Sequence, residues 1–126
     1  MMVAIHAWRS ASSIERFHQL LPDSPLVVVL SGTDIYSFQH SHPEETLRSM
    51  AFADALVCLH DLVHKAIPSK FKHKLHVIHQ SALPLKGQRS PSKRHFDVCV
   101  VGHLREVKDS LRCAYAAHSA SAESRL

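Results

Sequence analysis

Short apolar runs recur along this chain, and they constrain its fold more than any other feature. Five of them, each rich in valine or isoleucine, lie at 2–7, 26–30, 55–60, 75–79 and 97–101. The runs 26–30 and 97–101 are continuously apolar, which is typical of strands covered on both faces in a parallel sheet. Helical patterns lie between and after the runs, at 12–21, 42–54, 61–66 and 105–118. This alternation of strands and helices predicts a doubly wound α/β sheet.

Composition narrows the class of protein. The 126 residues suffice for one domain of ordinary size, and 45% apolar with 21% charged residues indicates a globular chain. No apolar run approaches the roughly 18–20 residues that span a bilayer. Residues 1–10 lack a basic region, a long hydrophobic stretch and a cleavage site, so we expect no secretion signal. The cysteines, Cys58, Cys99 and Cys113, are widely spaced in apolar or helical segments. We therefore expect reduced thiols, a cytoplasmic protein and no membrane partner.

The charge balance favours anionic partners. The formal net charge is +4, and twelve histidines add positive charge below roughly pH 6.5. The basic stretch 86–95 has no interleaved aromatic residues, and no helix–turn–helix, RNA-recognition or zinc-finger pattern accompanies it, so nucleic acid is not the expected partner. His60 and His64 are four residues apart, but no third ligand is in register, and no metal is expected.

A linker divides the chain. The stretch 81–96 contains two prolines, a glycine and several basic residues with almost no hydrophobic periodicity. The 97–126 segment after it holds one strand and one helix, which cannot bury their own faces. We therefore expect a partial lobe at 1–83, a linker at 84–96 and the start of a second lobe at 97–126. On this interpretation the chain is an interior segment of a larger protein.

The first candidate site follows the run 26–30, which leads directly into Ser31, Gly32, Thr33 and Asp34. Ligands of open α/β sheets bind beyond the carboxyl ends of the strands, where this loop would lie. Glycine permits close backbone approach, while Thr33 and Asp34 offer a hydroxyl and a carboxylate to a sugar or a phosphorylated substrate. An ordinary strand–helix turn capped by Asp34 explains the residues equally well, and both interpretations remain open.

The second candidate site follows the run 97–101. Gly102 is followed within six residues by the cations His103, Arg105 and Lys108. A helix that begins near residue 105 would direct unpaired N–H groups at this turn, which suits a phosphate. Lys108 would then oppose the helix dipole in the first turn unless an anion joined it. The pattern predicts an anion-binding turn, and a solvated basic loop is the alternative.

Residues 101–109 carry a resemblance to a known family. "VGHLREVKD" resembles the phosphate turn that opens the donor lobe of GT-B glycosyltransferases of the sucrose-synthase-like superfamily. Lys108 falls on the lysine position of that turn, whereas His103 replaces the arginine and Asp109 the following glycine. Five segments in order are similar to the selenosugar synthases of selenoneine biosynthesis: "IHAWRSASSIERF", "VVLSGTDIY", "ALVCLHD", "VIHQSA" and "HFDVCVVGHLREVKD".

The resemblance implies a fold and an activity. The fold is a Rossmann-like parallel α/β sheet, comprising most of an N-terminal GT-B lobe and the first strand and helix of the C-terminal lobe. The activity is transfer of a sugar from a UDP-sugar, as from UDP-N-acetylglucosamine to selenophosphate, with no metal or further cofactor. The first strand of the N-terminal lobe and most of the donor lobe have no counterpart here, so the isolated chain is expected to be inactive. A non-catalytic anion- or nucleic-acid-binding fragment is the alternative.

The resemblance also assigns residues to the two substrates. The donor diphosphate would be held by Gly102, His103, Arg105 and Lys108. The small anionic acceptor would meet the strand ends of the first lobe, at His6, Thr33, Asp34 and Gln80. It identifies no catalytic residue.

Overall fold

The structure, a computed structural model, describes residues 1–84, 86–87, 90, 92–94, 96–119 and 124–125. These fall into two compact units, Met1–Leu83 and Pro84–Leu126. The first unit contains, in chain order, β1 (Met2–Ile5), α1 (Ala11–Leu20), β2 (Leu26–Val29), a π-helical segment (Asp34–Phe38), α2 (Gln39–Ser41), α3 (Pro43–Phe52), β3 (Ala55–Cys58), α4 (Val63–Ala66), a 3₁₀ helix (Ser69–Lys74) and β4 (Leu75–Val77). The second contains β5 (Phe96–Asp97), a 3₁₀ turn (Glu106–Lys108), α5 (Arg112–Ser119) and β6 (Ser124–Arg125).

A four-stranded sheet organises the first unit. Its strand order is β1-β2-β3-β4, and each neighbouring pair is parallel. The register places Ala4 beside Val28, and Val28 beside Leu56. Helices connect successive strands, as parallel pairing requires. The predicted Rossmann-like parallel α/β sheet is confirmed.

The helices of this unit cover one face of the sheet. Because strand order follows chain order and crossovers are right-handed, every connecting helix is placed on the same side. Strand residues of that face are buried with Ile14 of α1 and Met50 of α3; they are Ala4, Leu26, Val28, Leu56 and Cys58. On the opposite face, Val3 is 56% and Ile5 is 71% exposed. Within residues 1–84 the sheet is therefore singly wound, and the prediction of a doubly wound sheet was wrong.

The ends of α3 are fixed by residues with suitable chemistry. Pro43 opens the helix, and two glutamates occupy its first turn, where the helix dipole favours negative charge. At the other end, the Lys74 Nζ donates to the backbone carbonyls of Ala51 and Ala53. A cation at the C-terminus satisfies carbonyls that the helix leaves unpaired. This fixes the position at which β3 begins.

The fifth predicted strand is shorter than expected. Of the predicted run 97–101, only Asp97 lies in a strand, β5 (Phe96–Asp97), which pairs with β6. Val100 is 52% and Val101 is 92% exposed, so the predicted buried strand over 97–101 was wrong. A parallel strand becomes buried only when neighbours pair with it on both sides, and among the described residues of this unit β5 has one short partner.

The predicted helix over 105–118 is also interrupted. The one-turn 3₁₀ segment ends at Lys108, and Asp109 then adopts a left-handed conformation with φ 46°. Helix α5 begins only at Arg112. Lys108 therefore does not lie in the first turn of a long helix, because the left-handed residue breaks the helical path.

Paired valine substitutions test the one-sided covering of the sheet. Val28→Ala should lower the free energy of unfolding by about 2 kcal/mol, because it removes two methyl groups from a fully buried site. Val3→Ala makes the same chemical change on the uncovered face and should cost about 0.5 kcal/mol or less. Urea unfolding followed by circular dichroism measures both. Equal losses would contradict the one-sided core.

Candidate functional site

The carboxyl ends of β1 and β2 bring His6, Thr33 and Asp34 into direct contact. Nδ1 of His6 lies 2.6 Å from Oδ1 of Asp34, and Nε2 of the same ring lies 3.0 Å from Oγ1 of Thr33. His6 follows β1 by one residue, and the other two follow β2. Adjacent parallel strands end at the same sheet edge, which is why residues 27 positions apart meet. Three of the four residues assigned to the acceptor thus form one cluster.

Asp34 is the buried centre of the cluster, with no exposed side-chain surface. Its Oδ2 accepts the backbone N–H groups of Ala7 at 3.0 Å and Ser31 at 2.9 Å, while Oδ1 accepts that of Trp8 at 3.1 Å. The imidazole of His6 is a fourth donor. A carboxylate is buried without large cost only when it is hydrogen-bonded in this way. Its contribution is therefore to position His6 and the two loops.

Ser31 and Asp34 also form a reciprocal cap. The Ser31 Oγ accepts the backbone N–H of Asp34 at 3.3 Å, and the carboxylate accepts the backbone N–H of Ser31. This is the geometry of a capping box, with aspartate in the third position. The carboxylate of Asp34 therefore turns back to Ser31, Ala7 and Trp8 and does not cap the residues that follow it, whereas Thr33 is exposed.

His6 is held in a strained backbone conformation with a fixed ring. Its φ is 75°, in the left-handed region, and its side chain is 12% exposed. The backbone N–H of Arg9 lies 3.3 Å from Nδ1, but a ring nitrogen that donates to Asp34 has no lone pair for a second donor. We assign the proton to Nδ1 because its contact with the carboxylate is shorter. Nε2 is then the acceptor that faces Thr33.

The electrostatic surroundings keep this ring neutral. Burial lowers the pKa of His6 below its ordinary value of 6.5; the Asp34 carboxylate opposes this shift and the Arg9 guanidinium adds to it. A neutral imidazole at pH 7 is a hydrogen-bond acceptor and a base.

Aromatic rings form one wall beside the cluster. Trp8 and Phe38 stack with ring centroids 4.3 Å apart, and the His6 ring lies 5.5 Å from that of Phe38. The ring of His42 lies 4.7 Å from Trp8 on another side. Sequence reasoning missed this wall, because Trp8 and Phe38 are 30 positions apart and neither lies in a strand. Trp8 lies three residues after β1, and Phe38 is the last residue of the π-helical segment that follows β2.

The next two strand ends carry histidines in polar pairs. The Tyr36 hydroxyl lies 3.3 Å from Nε2 of His60, and Nε2 of His79 lies 3.4 Å from Oδ1 of Asp61. These residues follow β2, β3 and β4, so they continue the polar edge. Sequence reasoning did not assign them. Gln80 is exposed, and among the described residues no hydrogen bond joins it to the His6 cluster.

The cationic turn of the second unit is open. The region around Gly102, His103, Arg105 and Lys108 is exposed, and a Cβ added at Gly102 would meet nothing within 4 Å. A groove of about 420 Å³ beside it is lined by Arg105 together with the acidic Glu106 and Asp109. Neither His103 nor Lys108 lines that groove. The expected helix N-terminus is not at this turn, since α5 begins at Arg112. A diphosphate role for these cations stays a prediction.

Comparisons with protein-family models and with curated proteins find no match to this chain. Among the residues that the structure describes, no three histidine, cysteine, aspartate or glutamate side chains are grouped so as to hold a metal ion. In the same residues, no helix has both the length and the apolar character needed to cross a bilayer.

A pH titration tests the environment of His6. Its ring should titrate below pH 6.5 in the native protein, because burial disfavours the imidazolium. Since the unfolded chain then binds the proton more readily, stability should fall as the pH decreases from about 6.5 through the native pKa. NMR of the histidine ring carbons measures the midpoint, and His6→Gln identifies the signal. A midpoint at or above 6.5 would contradict the assignment.

A second test compares two aspartates that accept backbone N–H groups. Asp34→Ala should lower the free energy of unfolding by about 3–5 kcal/mol, because it leaves buried donors without a partner. Asp54 accepts one backbone N–H, from Leu26 at 2.7 Å, and is exposed. Asp54→Ala should cost about 1 kcal/mol. Thermal unfolding monitored by circular dichroism distinguishes the two, and similar losses would refute the central role of Asp34.

Proposed function

We propose that this chain forms part of a glycosyltransferase that uses a UDP-sugar, with UDP-N-acetylglucosamine as donor and selenophosphate as acceptor. The observation that carries the proposal is the cluster of His6, Thr33 and Asp34 at the carboxyl edge of a parallel sheet. Polar ligands of open α/β sheets bind at this edge. The similarity of five sequence segments to selenosugar synthases supports the choice of substrates.

The cluster suits the acceptor. Thr33 is exposed, and its hydroxyl, which donates to Nε2 of His6 in this structure, would turn to donate to a small anion when one binds. Asp34 is fully buried and acts through His6 rather than by touching the acceptor. A selenium nucleophile is already anionic, so these groups orient it and need not remove a proton. Gln80 would add a contact only after the exposed segment beyond β4 rearranges.

The donor would be handled by the cationic turn. The barrier to transfer is departure of UDP from the anomeric carbon, during which negative charge develops on the diphosphate. Fixed cations aimed at that charge stabilise the transition state more than the ground state. Arg105 and Lys108 are exposed and supply this charge, and Gly102 leaves space for the diphosphate. Because the turn is open in this structure, the proposal requires it to close around the nucleotide.

A transfer assay tests the proposal on a protein that carries this chain with both lobes. UDP release from UDP-N-acetylglucosamine should depend on added selenophosphate, and mass spectrometry should detect the carbon–selenium product. Lys108→Ala should reduce turnover by about a hundredfold, since it removes a charge that acts in the transition state. Lys86→Ala changes a lysine of the linker region and is the matched control.

A binding assay separates this function from the alternative. UDP should raise the melting temperature of the same protein, as a ligand that binds only the native state does. Duplex DNA should leave the melting temperature unchanged. Stabilisation by DNA without any effect of UDP would support the non-catalytic nucleic-acid-binding alternative and contradict sugar transfer.

A further inference from the structure

The His6 cluster contains a complete carboxylate–imidazole–hydroxyl chain. Oδ1 of Asp34 lies 2.6 Å from Nδ1 of His6, and Nε2 lies 3.0 Å from Oγ1 of Thr33. Nucleophile, base and orienting acid are each within hydrogen-bond reach of the next member. This is the relation by which serine hydrolases of unrelated folds activate a hydroxyl. Nothing in anion orientation requires all three links.

The direction of the hydrogen bonds is the one that activation needs. With the proton of His6 on Nδ1, the Thr33 hydroxyl donates to Nε2, which is the nitrogen that would receive its proton. The Ser31 Oγ lies 2.9 Å from the Thr33 Oγ1. Because Thr33 gives its single hydroxyl hydrogen to Nε2, Ser31 is the donor of this pair. Thr33 is therefore a donor only toward the base. The neutral state of the imidazole, set by its burial, leaves Nε2 free to act.

The hydroxyl is accessible to an electrophile. Thr33 is exposed, and a Cβ added at the preceding Gly32 would meet nothing within 4 Å. The helical run that includes the π-helical segment begins at Gly32, so the backbone N–H groups of Gly32 and Thr33 have no partner within the helix. Such N–H groups next to a nucleophile stabilise an oxyanion that forms on an attacked carbonyl.

The His6 imidazole is fixed in place beside aromatic rings that are half-buried. The half-buried Trp8 and Phe38 shield one side of the imidazole, while Asp34 fixes the two backbone groups that follow His6. The positive φ of His6 and the π-helix at 34–38 are both local departures from regular structure, of the kind that concentrates at functional sites. The aromatic wall favours an electrophile with a small apolar group.

We propose that Asp34, His6 and Thr33 form a hydroxyl-activating triad that transfers an acyl group from a small activated ester to water. The Thr33 Oγ1 bonds to the acyl carbon as its proton passes to Nε2 of His6. The ester C–O bond breaks, and its electron pair leaves with the alcohol or phenol oxygen, which takes the proton from the imidazolium. Water then attacks the acyl carbon and gives a proton to Nε2. The bond from that carbon to the Thr33 Oγ1 breaks, Oγ1 takes the proton back from the imidazolium, and the carboxylic acid is released. This activity uses the cluster that the proposed sugar transfer assigns to the acceptor, but it requires neither a UDP-sugar nor selenophosphate.

Covalent labelling of the full chain tests the triad. An alkyl fluorophosphonate should form an adduct at Thr33, with loss of fluoride, and peptide mass spectrometry locates it. His6→Gln should slow labelling about a hundredfold, because glutamine keeps hydrogen bonds but accepts no proton. Thr33→Val should abolish it, while Thr33→Ser should retain it. Hydrolysis of p-nitrophenyl acetate should follow the same order.

Internal controls make the outcome decisive. Ser13 is an exposed hydroxyl on α1 and should stay unlabelled, and His18→Gln should label at the wild-type rate. If His6→Gln does not fold, the pH dependence of wild-type labelling provides a second test. The labelling rate should rise as the pH increases through the pKa of His6, because only the neutral imidazole accepts the proton. Thr33 is exposed, so its variants are expected to fold. Absence of a Thr33 adduct, or equal rates in wild type and folded His6→Gln, would overturn the triad.

Discussion

One buried carboxylate holds the polar edge of this protein together. Asp34 accepts three backbone N–H groups from two loops and a fourth bond from the His6 imidazole. The loops follow different strands, so their relative position depends on a side chain that belongs to neither strand. Without it, the N–H groups of Ala7 and Trp8 would lose their partner, and the imidazole would have no fixed tautomer. The Asp34 carboxylate thus determines both the arrangement of the two loops and the tautomer of the imidazole.

The order of the strands in the sheet determines which loops lie at this polar edge. The order of β1 to β4 in the sheet is the same as their order in the chain, so the connecting helices lie on one face. Because the strands are parallel, the loops that follow them all lie at one edge of the sheet. His6, Thr33, His60 and His79 therefore follow one another along a single row of loops. The topology determines that these loops lie side by side, and the sequence determines which side chains the loops carry.

The sequence predicted the first unit well because its signals are local. Short apolar runs identify β2 and β3, and Pro43 with two glutamates identifies the start of α3. The loop after β2 was identified by the same logic. The second unit was predicted less well, because the run 97–101 has the composition of a buried strand without the neighbours that bury one. An apolar composition shows that a segment is suited to burial, but the segment is buried only if other strands and helices pack against it.

Within the site, the sequence identified the residues but not which of them would be buried and which exposed. Thr33 and Asp34 are adjacent and equally polar, and no pattern foretold that one would be exposed and the other enclosed. The pair of His6 with Asp34 depends on a contact between residues 28 positions apart, which no spacing rule encodes. The three-residue spacing of Ser31 and Asp34 is a local signal that the sequence analysis did not use, since the carboxylate of a capping box turns back to the chain.

The backbone of His6 has a consequence for how this position can vary. A left-handed φ of 75° suits glycine, and an imidazole residue keeps it at a cost of about 1–2 kcal/mol. Glycine would relieve this strain, but it would also remove the ring nitrogen that donates to the buried carboxylate of Asp34. In a relative that had lost the chemistry of this edge, glycine at position 6 should therefore occur together with an uncharged residue at position 34, so that the two positions change as a pair.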